Sequence, residues 1–237
     1  MPDTFDFEPG DVIGERYEVV ERLGRGWEGE VYKLLELGAG IERAGKFFYP
    51  IRNPGGKTSR FYARKLHKLR NCPIVIQYHT SDVIEWEGKK VVYLVSEFVE
   101  GETLDKFLSR QPGKRIGAFQ GLHLLHALAS GMEAVHDAKD YHGDLHSGNI
   151  IVRRVGISFD LKLLDMYRHG PTTSADIHTD VCDLIRLFYD AIGGQKFYSR
   201  QPPPVKRICR GLKRSLILEQ FRTAGQLRHY LETMEWT

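Results

Sequence analysis

His142-Gly143-Asp144-Leu145-His146-Ser147-Gly148-Asn149-Ile150-Ile151-Val152, followed after a short interval by Leu163-Leu164-Asp165-Met166-Tyr167, is the most chemically loaded stretch of this 237-residue chain. It sets an aspartate, an asparagine five residues later, and a second aspartate at the end of the next short apolar strand. These supply one carboxylate able to orient or deprotonate a hydroxyl, and two hard oxygen ligands. That is the oxygen set a magnesium–nucleotide complex needs. Any one of them could be a loop residue that satisfies a turn; the joint spacing argues against that for all three.

Upstream, Gly24-Arg25-Gly26-Trp27-Glu28-Gly29-Glu30-Val31 is a glycine-rich turn between two predicted strands. Without Cβ atoms the backbone can approach phosphate oxygens closely and aim amide N–H groups at them. A strand follows the turn where a dinucleotide fingerprint would require a helix, so the motif suits a flap over phosphates. Ala44-Gly45-Lys46 lies on the next predicted strand, where the Lys46 ammonium would project beneath that flap.

The chain changes period near its middle. Strands are predicted at Arg16–Leu23, Glu30–Leu37, Ile41–Phe48, Ile74–Trp86 and Lys90–Ser96, with one basic helix over Thr58–Arg70. Beyond a connector at Glu97–Gly101 the pattern turns helical. Leu122, Leu125, Leu128, Met132 and Val135 mark one buried stripe on a helix from Phe119 to His136. Short strands are predicted at Ile150–Val152 and Leu161–Leu164, and helices at Ile177–Ile192, Val205–Leu218 and Gly225–Met234. Residues 1–96 are therefore expected to form one lobe and 97–237 a hinge and a second lobe.

Hydrophobic residues make up 41% and charged residues 27% of the chain, which excludes a disordered or fibrous protein. With 34 basic against 31 acidic residues the net charge is only +3, so general affinity for nucleic acid is not expected. Cys72, Cys182 and Cys209 are too scattered for a zinc site or a disulfide framework. The acidic start lacks a secretory pattern and no apolar run reaches membrane length, so a cytoplasmic protein without membrane contact is expected.

The ordered set of motifs resembles the protein-kinase superfamily over nearly the whole length. Gly24, Gly26 and Gly29 with Val31 resemble its glycine-rich loop, Ala44-Gly45-Lys46 its strand-three lysine motif, and His142-Gly143-Asp144 through Asn149 its catalytic loop. Asp165 matches the magnesium-binding aspartate. The opening from Pro9 to Gly24 looks like bacterial Ser/Thr kinases of the eukaryotic type. Val95-Ser96-Glu97-Phe98-Val99 is similar to a kinase hinge with Ser96 as gatekeeper, and Asp180 matches the buried aspartate that holds the catalytic loop.

The resemblance implies an α+β, bilobal fold with a five-stranded antiparallel N-lobe sheet, one N-lobe helix and a mainly helical C-lobe. It implies ATP and Mg2+ bound between the lobes, with Val31, Ala44 and Ile151 around adenine and backbone groups of Glu97 and Val99 at its edge. Lys46 would bind the α- and β-phosphates, Asn149 and Asp165 the metal, and Asp144 the acceptor hydroxyl and its proton. His146 would reach the γ-phosphate as an imidazolium, or stay neutral and bond the backbone.

Four departures bear on the acceptor. Gly143 replaces the arginine that reads activation-loop phosphate, a His-Gly-Asp form familiar from aminoglycoside phosphotransferases and RIO kinases. Only 15 positions separate Asp165 from Asp180, with no Ala-Pro-Glu motif between them, so Tyr167–Thr179 is short for a peptide platform and Thr172, Thr173 and Ser174 read as turn residues. No Asp or Glu occurs between Lys46 and Asp82, and Tyr62 takes the place of the helix glutamate, so Lys46 is expected to find another partner, to rely on phosphate alone, or to sit misplaced. Glu28 stands at the flap tip, where it is expected in solvent or paired with Arg25.

Transfer to protein Ser/Thr hydroxyls is the first expectation, a small-molecule hydroxyl the second, and a pseudokinase scaffold the third. Arg60, Arg64, Lys65, Lys68 and Arg70 form a basic face over residues 58–70 that would suit an acidic partner, although solvated charge is the simpler account. His123, His126 and His136 are expected to pack or to face solvent.

Overall fold

The computed structural model describes residues 4–166 and 170–235 and divides into two compact units, residues 1–70 with 76–99 and residues 71–75 with 100–237. Tyr167 of the expected activation segment lies outside the described residues, as do Arg168 and His169.

The first unit is an antiparallel sheet in the order β1-β2-β3-β4-β6-β5, formed by Val12–Ile13, Tyr17–Arg25, Gly29–Glu36, Ile41–Phe48, Lys89–Glu97 and Tyr78–Trp86 respectively. It has six strands where five were expected, the addition being the two-residue β1, too short to leave a periodic signal. Glu87 and Gly88 both adopt positive φ, 48° and 72°, between β5 and β6. A two-residue turn of that hand matches the twist of the strands it joins.

Side chains alternate across β3 and β4, so Glu30, Tyr32, Leu34 and Phe47 face one side while Val31, Ala44, Lys46 and Phe48 face the other. The first side is covered by the N-terminal segment. Phe7 sits 5.0 Å from Phe47, 5.2 Å from Tyr32 and 4.7 Å from Trp86, ring centre to ring centre, and Phe5 stacks on Tyr49 at 5.2 Å. Tyr17, Val91, Tyr93 and Val95 extend this buried aromatic layer.

Helix α1, Lys57–Lys68, packs on β5 and β6 through a buried stripe that includes Tyr62 and Leu66, continued by Leu69 just past its end. Its outer face carries Lys57, Arg60, Arg64 and Lys68. Lys65 is an exception to the expected basic face, because it is buried at 4% exposure.

The second unit contains α2 (Leu104–Arg110), α3 (Ala118–Asp137), α4 (Ser174–Ala191), α5 (Gly194–Tyr198), α6 (Pro203–Cys209), α7 (Arg214–Gln220) and α8 (Ala224–Thr233). A small sheet joins them, in the order β7 (Glu102–Thr103), β8 (Ile150–Val155) and β9 (Ser158–Leu163). Leu124, Leu125, Leu128, Met132 and Val135 of α3 are buried against α4, α8 and β9. Leu122, expected in that stripe, is only half-buried, and Leu124 takes its place.

Two further expectations change. Ile74–Trp86 is not one strand, because Ile74 and Val75 leave the first unit: Leu163 N–H donates to Ile74 O, Val75 bridges Leu163, and Ile74 lies against Gly131 of α3. The predicted helix Val205–Leu218 breaks at Arg210, Gly211 and Leu212, which all take positive φ between 47° and 60°. Left-handed backbone cannot continue a right-handed helix. Among the described residues, no helix is long and apolar enough to cross a membrane.

Removing the Phe7 ring leaves a void between Tyr32, Phe47 and Trp86. We expect Phe7→Ala to lose about 3 kcal/mol of stability, read as a lower urea midpoint by tryptophan fluorescence.

Candidate active site

In the first unit the flap closes the β2–β3 hairpin. Gly24 pairs with Val31 and Arg25 with Glu30, and Gly26 N–H donates to Gly29 O at 2.9 Å. Gly29 is the glycine the protein itself demands, since a Cβ there would stand 1.8 Å from Phe47 O, whereas Gly24 and Gly26 have open space around the same position.

Lys46 does not lack an acid. Its ammonium lies 2.9 Å from Glu28 Oε2, both side chains only 13% and 15% exposed, and rests 4.7 Å from the Tyr62 ring and 5.4 Å from the Phe48 ring. Glu28 therefore neither points to solvent nor pairs with Arg25, whose guanidinium lies 3.8 Å from Glu30 instead. The sequence signal was present in two halves: an acid at the flap tip and a helix without one.

Glu30 was not foreseen at all. It is fully buried and accepts from the Tyr49 hydroxyl at 2.8 Å, from the Tyr32 hydroxyl and from Phe5 N–H at 3.4 Å. Burial first, and then the bond to Glu30, push the Tyr32 and Tyr49 phenols above their ordinary value and keep them as donors. Val31 and Ala44 are half-buried on the face that also carries Lys46. At the expected hinge, Glu97 is held by Gln77, its Oε1 accepting Gln77 N–H at 3.0 Å and its own N–H donating to Gln77 O at 2.9 Å. Ser96 Oγ donates to Ala44 O at 3.5 Å, and Val99 ends the unit half-buried.

In the second unit one hydrogen-bond chain gathers residues 142–149 around Asp180. Asp180 of α4, with no exposure, accepts His142 N–H at 2.9 Å and Gly143 N–H at 2.8 Å, and lies 3.1 Å from His136 Nε2. His136 was expected to pack or to face solvent; it is buried as a polar partner. Gly143 has φ 78°, a conformation that favours glycine over any side chain. The His142 ring accepts Asp144 N–H at Nδ1, 3.2 Å, which leaves Nε2 to donate to Leu164 O at 2.9 Å.

Asn149 Nδ2 donates to Asp144 O at 3.1 Å, and Asn149 O accepts Leu164 N–H at 2.8 Å. Asp165 follows directly, with φ 53°, so Asp144, Asn149 and Asp165 are joined through the backbone at the end of the β8–β9 hairpin. Ile151 stands half-buried on β8, paired with Lys162 and Thr103. Asp144 remains 41% exposed at its side chain. His146 accepts Gly148 N–H at Nδ1, 3.1 Å, and its Nε2 lies 3.9 Å from Asp144 Oδ2. Of the two expectations for this ring, the backbone-bonded one describes the geometry.

Thr173 caps α4 by accepting Asp176 N–H at 3.3 Å, and Thr172 donates to Lys139 O at 2.9 Å, so both serve the turn before the helix. Burial pushes the Cys209 thiol up to about 12 and raises those of Cys72 and Cys182 as well, which makes all three poor nucleophiles.

Comparison with known proteins identifies the family. The protein kinase domain family matches residues 17–169, more than half of the chain. The planarian tyrosine-protein kinase SPK-1 of Girardia tigrina is 25% identical over 158 residues, which cover 64% of this chain and 30% of that protein. The serine/threonine-protein kinase pkn2 of Myxococcus xanthus is 31% identical over 158 residues, 65% of this chain and 18% of that protein. This chain thus spans less than a third of either relative. A solved kinase domain superposes with a TM-score of 0.63 at 15% identity, over 80% of this chain and 67% of that one, and shows the fold alone. The chain belongs to the protein kinase family, a class of phosphotransferases.

Asp180→Ala would leave two buried N–H groups without an acceptor, at a cost of about 2–5 kcal/mol. We expect a lower denaturation midpoint together with faster amide exchange at His142 and Gly143; unchanged exchange there would contradict the assignment.

Proposed function

We propose that this kinase domain binds Mg2+-ATP and transfers the γ-phosphoryl group to a Ser or Thr hydroxyl of a protein. The observation that carries the proposal is the hydrogen-bond chain through Asp144, Asn149 and Leu164 to Asp165, which gathers a carboxylate and two oxygen donors in the order that phosphoryl transfer needs. Asn149 spends its amide nitrogen on Asp144 O and so turns its oxygen to other use. That oxygen and the Asp165 carboxylate are hard donors suited to magnesium, which takes few protein ligands and fills its octahedron with water and phosphate oxygens. Bound there, the ion would neutralise charge on the phosphate oxygens.

In the proposed step Asp144 accepts the proton of the acceptor hydroxyl as that oxygen bonds to the γ-phosphorus. The bond from the γ-phosphorus to the β,γ-bridging oxygen breaks, and its electron pair leaves with ADP. Lys46 holds the α- and β-phosphates, Gly24, Gly26 and Gly29 admit them beneath the flap, Val31, Ala44 and Ile151 contact adenine, and backbone groups of Glu97 and Val99 bond its edge. The His146 ring, fixed at Nδ1, presents Nε2 toward Asp144 and helps to orient it. Little covalent work falls to the protein, so positioning and charge account for most of the rate.

A second acceptor class is favoured by one feature, the 15 positions between Asp165 and Asp180, which leave little chain for a peptide platform. The choice is made by incubating the chain with labelled ATP and a panel of proteins and small hydroxyl compounds. Labelled serine or threonine in protein supports the first acceptor; label confined to small molecules replaces it with the second; no transfer to any acceptor, self included, rejects both.

We expect Asp144→Ala to abolish transfer while ATP still raises the melting temperature, and Asp165→Ala to remove the magnesium-dependent part of that rise. No thermal shift of the wild-type chain at millimolar ATP would refute the nucleotide assignment.

A further inference from the structure

A lysine that is to hold phosphate oxygens needs an anionic neighbour, because its four-carbon stem is otherwise free to turn. Helix α1 offers none: its Tyr62 ring lies under Lys46, and the chain has no Asp or Glu from residue 47 to residue 81. The carboxylate at 2.9 Å comes from the flap. We propose that Glu28 is the anchoring acid of Lys46, a positioning residue that replaces the helix acid, so that closing the flap and setting the lysine are one event. The inference rests on the nucleotide-binding assignment made above.

The direction of approach supports this role. Lys46 and Phe48 share a face of β4, and the ammonium leans over both Phe48 and Tyr62, toward the end of the strand from which residues 50–56 lead into α1. Glu28 meets it there, beside Tyr49, whose N–H donates to Glu28 O at 2.9 Å. A carboxylate placed over the phosphates would repel them.

The flap is also held by its own tip. The Arg52 guanidinium lies 3.3 Å from the centre of the Trp27 ring, in a loop that the same strand feeds. The fixed backbone at Tyr49 and the stacked Trp27 therefore set where Glu28 can reach.

The test is calorimetric titration of the full chain with Mg2+-ATP and with adenosine, which has no phosphate for Lys46 to hold. Glu28→Gln should weaken Mg2+-ATP about tenfold, the worth of one charged hydrogen bond, with adenosine unchanged and transfer about 100-fold slower. Adding Tyr62→Glu to Glu28→Gln should recover Mg2+-ATP affinity by supplying an acid from α1, whereas Tyr62→Gln should not. If the double variant does not fold, Glu28→Asp takes its place and should fall between wild type and Glu28→Gln. Mg2+-ATP bound by Glu28→Gln as tightly as by wild type, or more tightly, overturns the anchoring role alone. A wild-type chain that binds neither ligand overturns the nucleotide assignment and this inference with it.

Discussion

A fully buried carboxylate holds the loop from His142 to Asn149 in shape. Asp180 is fully buried, and burying an ionised group is costly unless hydrogen bonds replace its hydration. The loop backbone at His142 and Gly143 supplies two, and the His136 ring lies within reach of a third. Charge-assisted bonds of this kind are short and directional, so the loop has few other places to go. From there order passes along the chain: His142 bonds Leu164, Leu164 bonds Asn149, and Asn149 bonds Asp144. These contacts bring α3, α4, the loop and the β8–β9 hairpin to a common point, close in the chain to Asp144 and Asp165.

The first unit solves a comparable problem with a different economy. Its sheet is partly covered by α1 on one face and must close the other over Tyr32 and Phe47. The N-terminal segment closes it, placing Phe5 and Phe7 among Tyr32, Phe47 and Tyr49. Glu30, which alternation sends to the closed side, is accommodated by two tyrosine hydroxyls and the Phe5 N–H, with Arg25 at 3.8 Å. On the α1 side Lys46 takes its acid from the flap and its floor from two aromatic rings. The acid beside the lysine thereby comes from a loop and not from a helix, and α1 carries Lys57, Arg60, Arg64 and Lys68 on its outer surface.

Local order carried most of the architecture into view. The period-two runs of β2, β3, β4 and β6 and the helical stripe of α3 are properties of neighbouring residues, and the corresponding elements lie within a few positions of where the pattern put them. Several misplacements share one cause, which is that a short apolar run does not say what it packs against. Ile74 and Val75 read as the start of β5 and instead join β9 and α3. Leu122 and Leu124 differ by two positions on α3, and only the placement of α4 and α8 chooses between them.

The chain by itself singled out Asp144, Asn149, Asp165 and Lys46 as candidates, because they are distinguished by type and spacing, and those are one-dimensional facts. It also revealed that α1 holds no acid. Tertiary structure decided the pairings: Glu28 with Lys46 across 18 positions, His136 with Asp180 across 44, and Glu30 with Tyr49 across 19. A contact between distant residues depends on how whole elements are laid beside one another, and no local pattern encodes the few ångströms that separate an ion pair from two solvated charges.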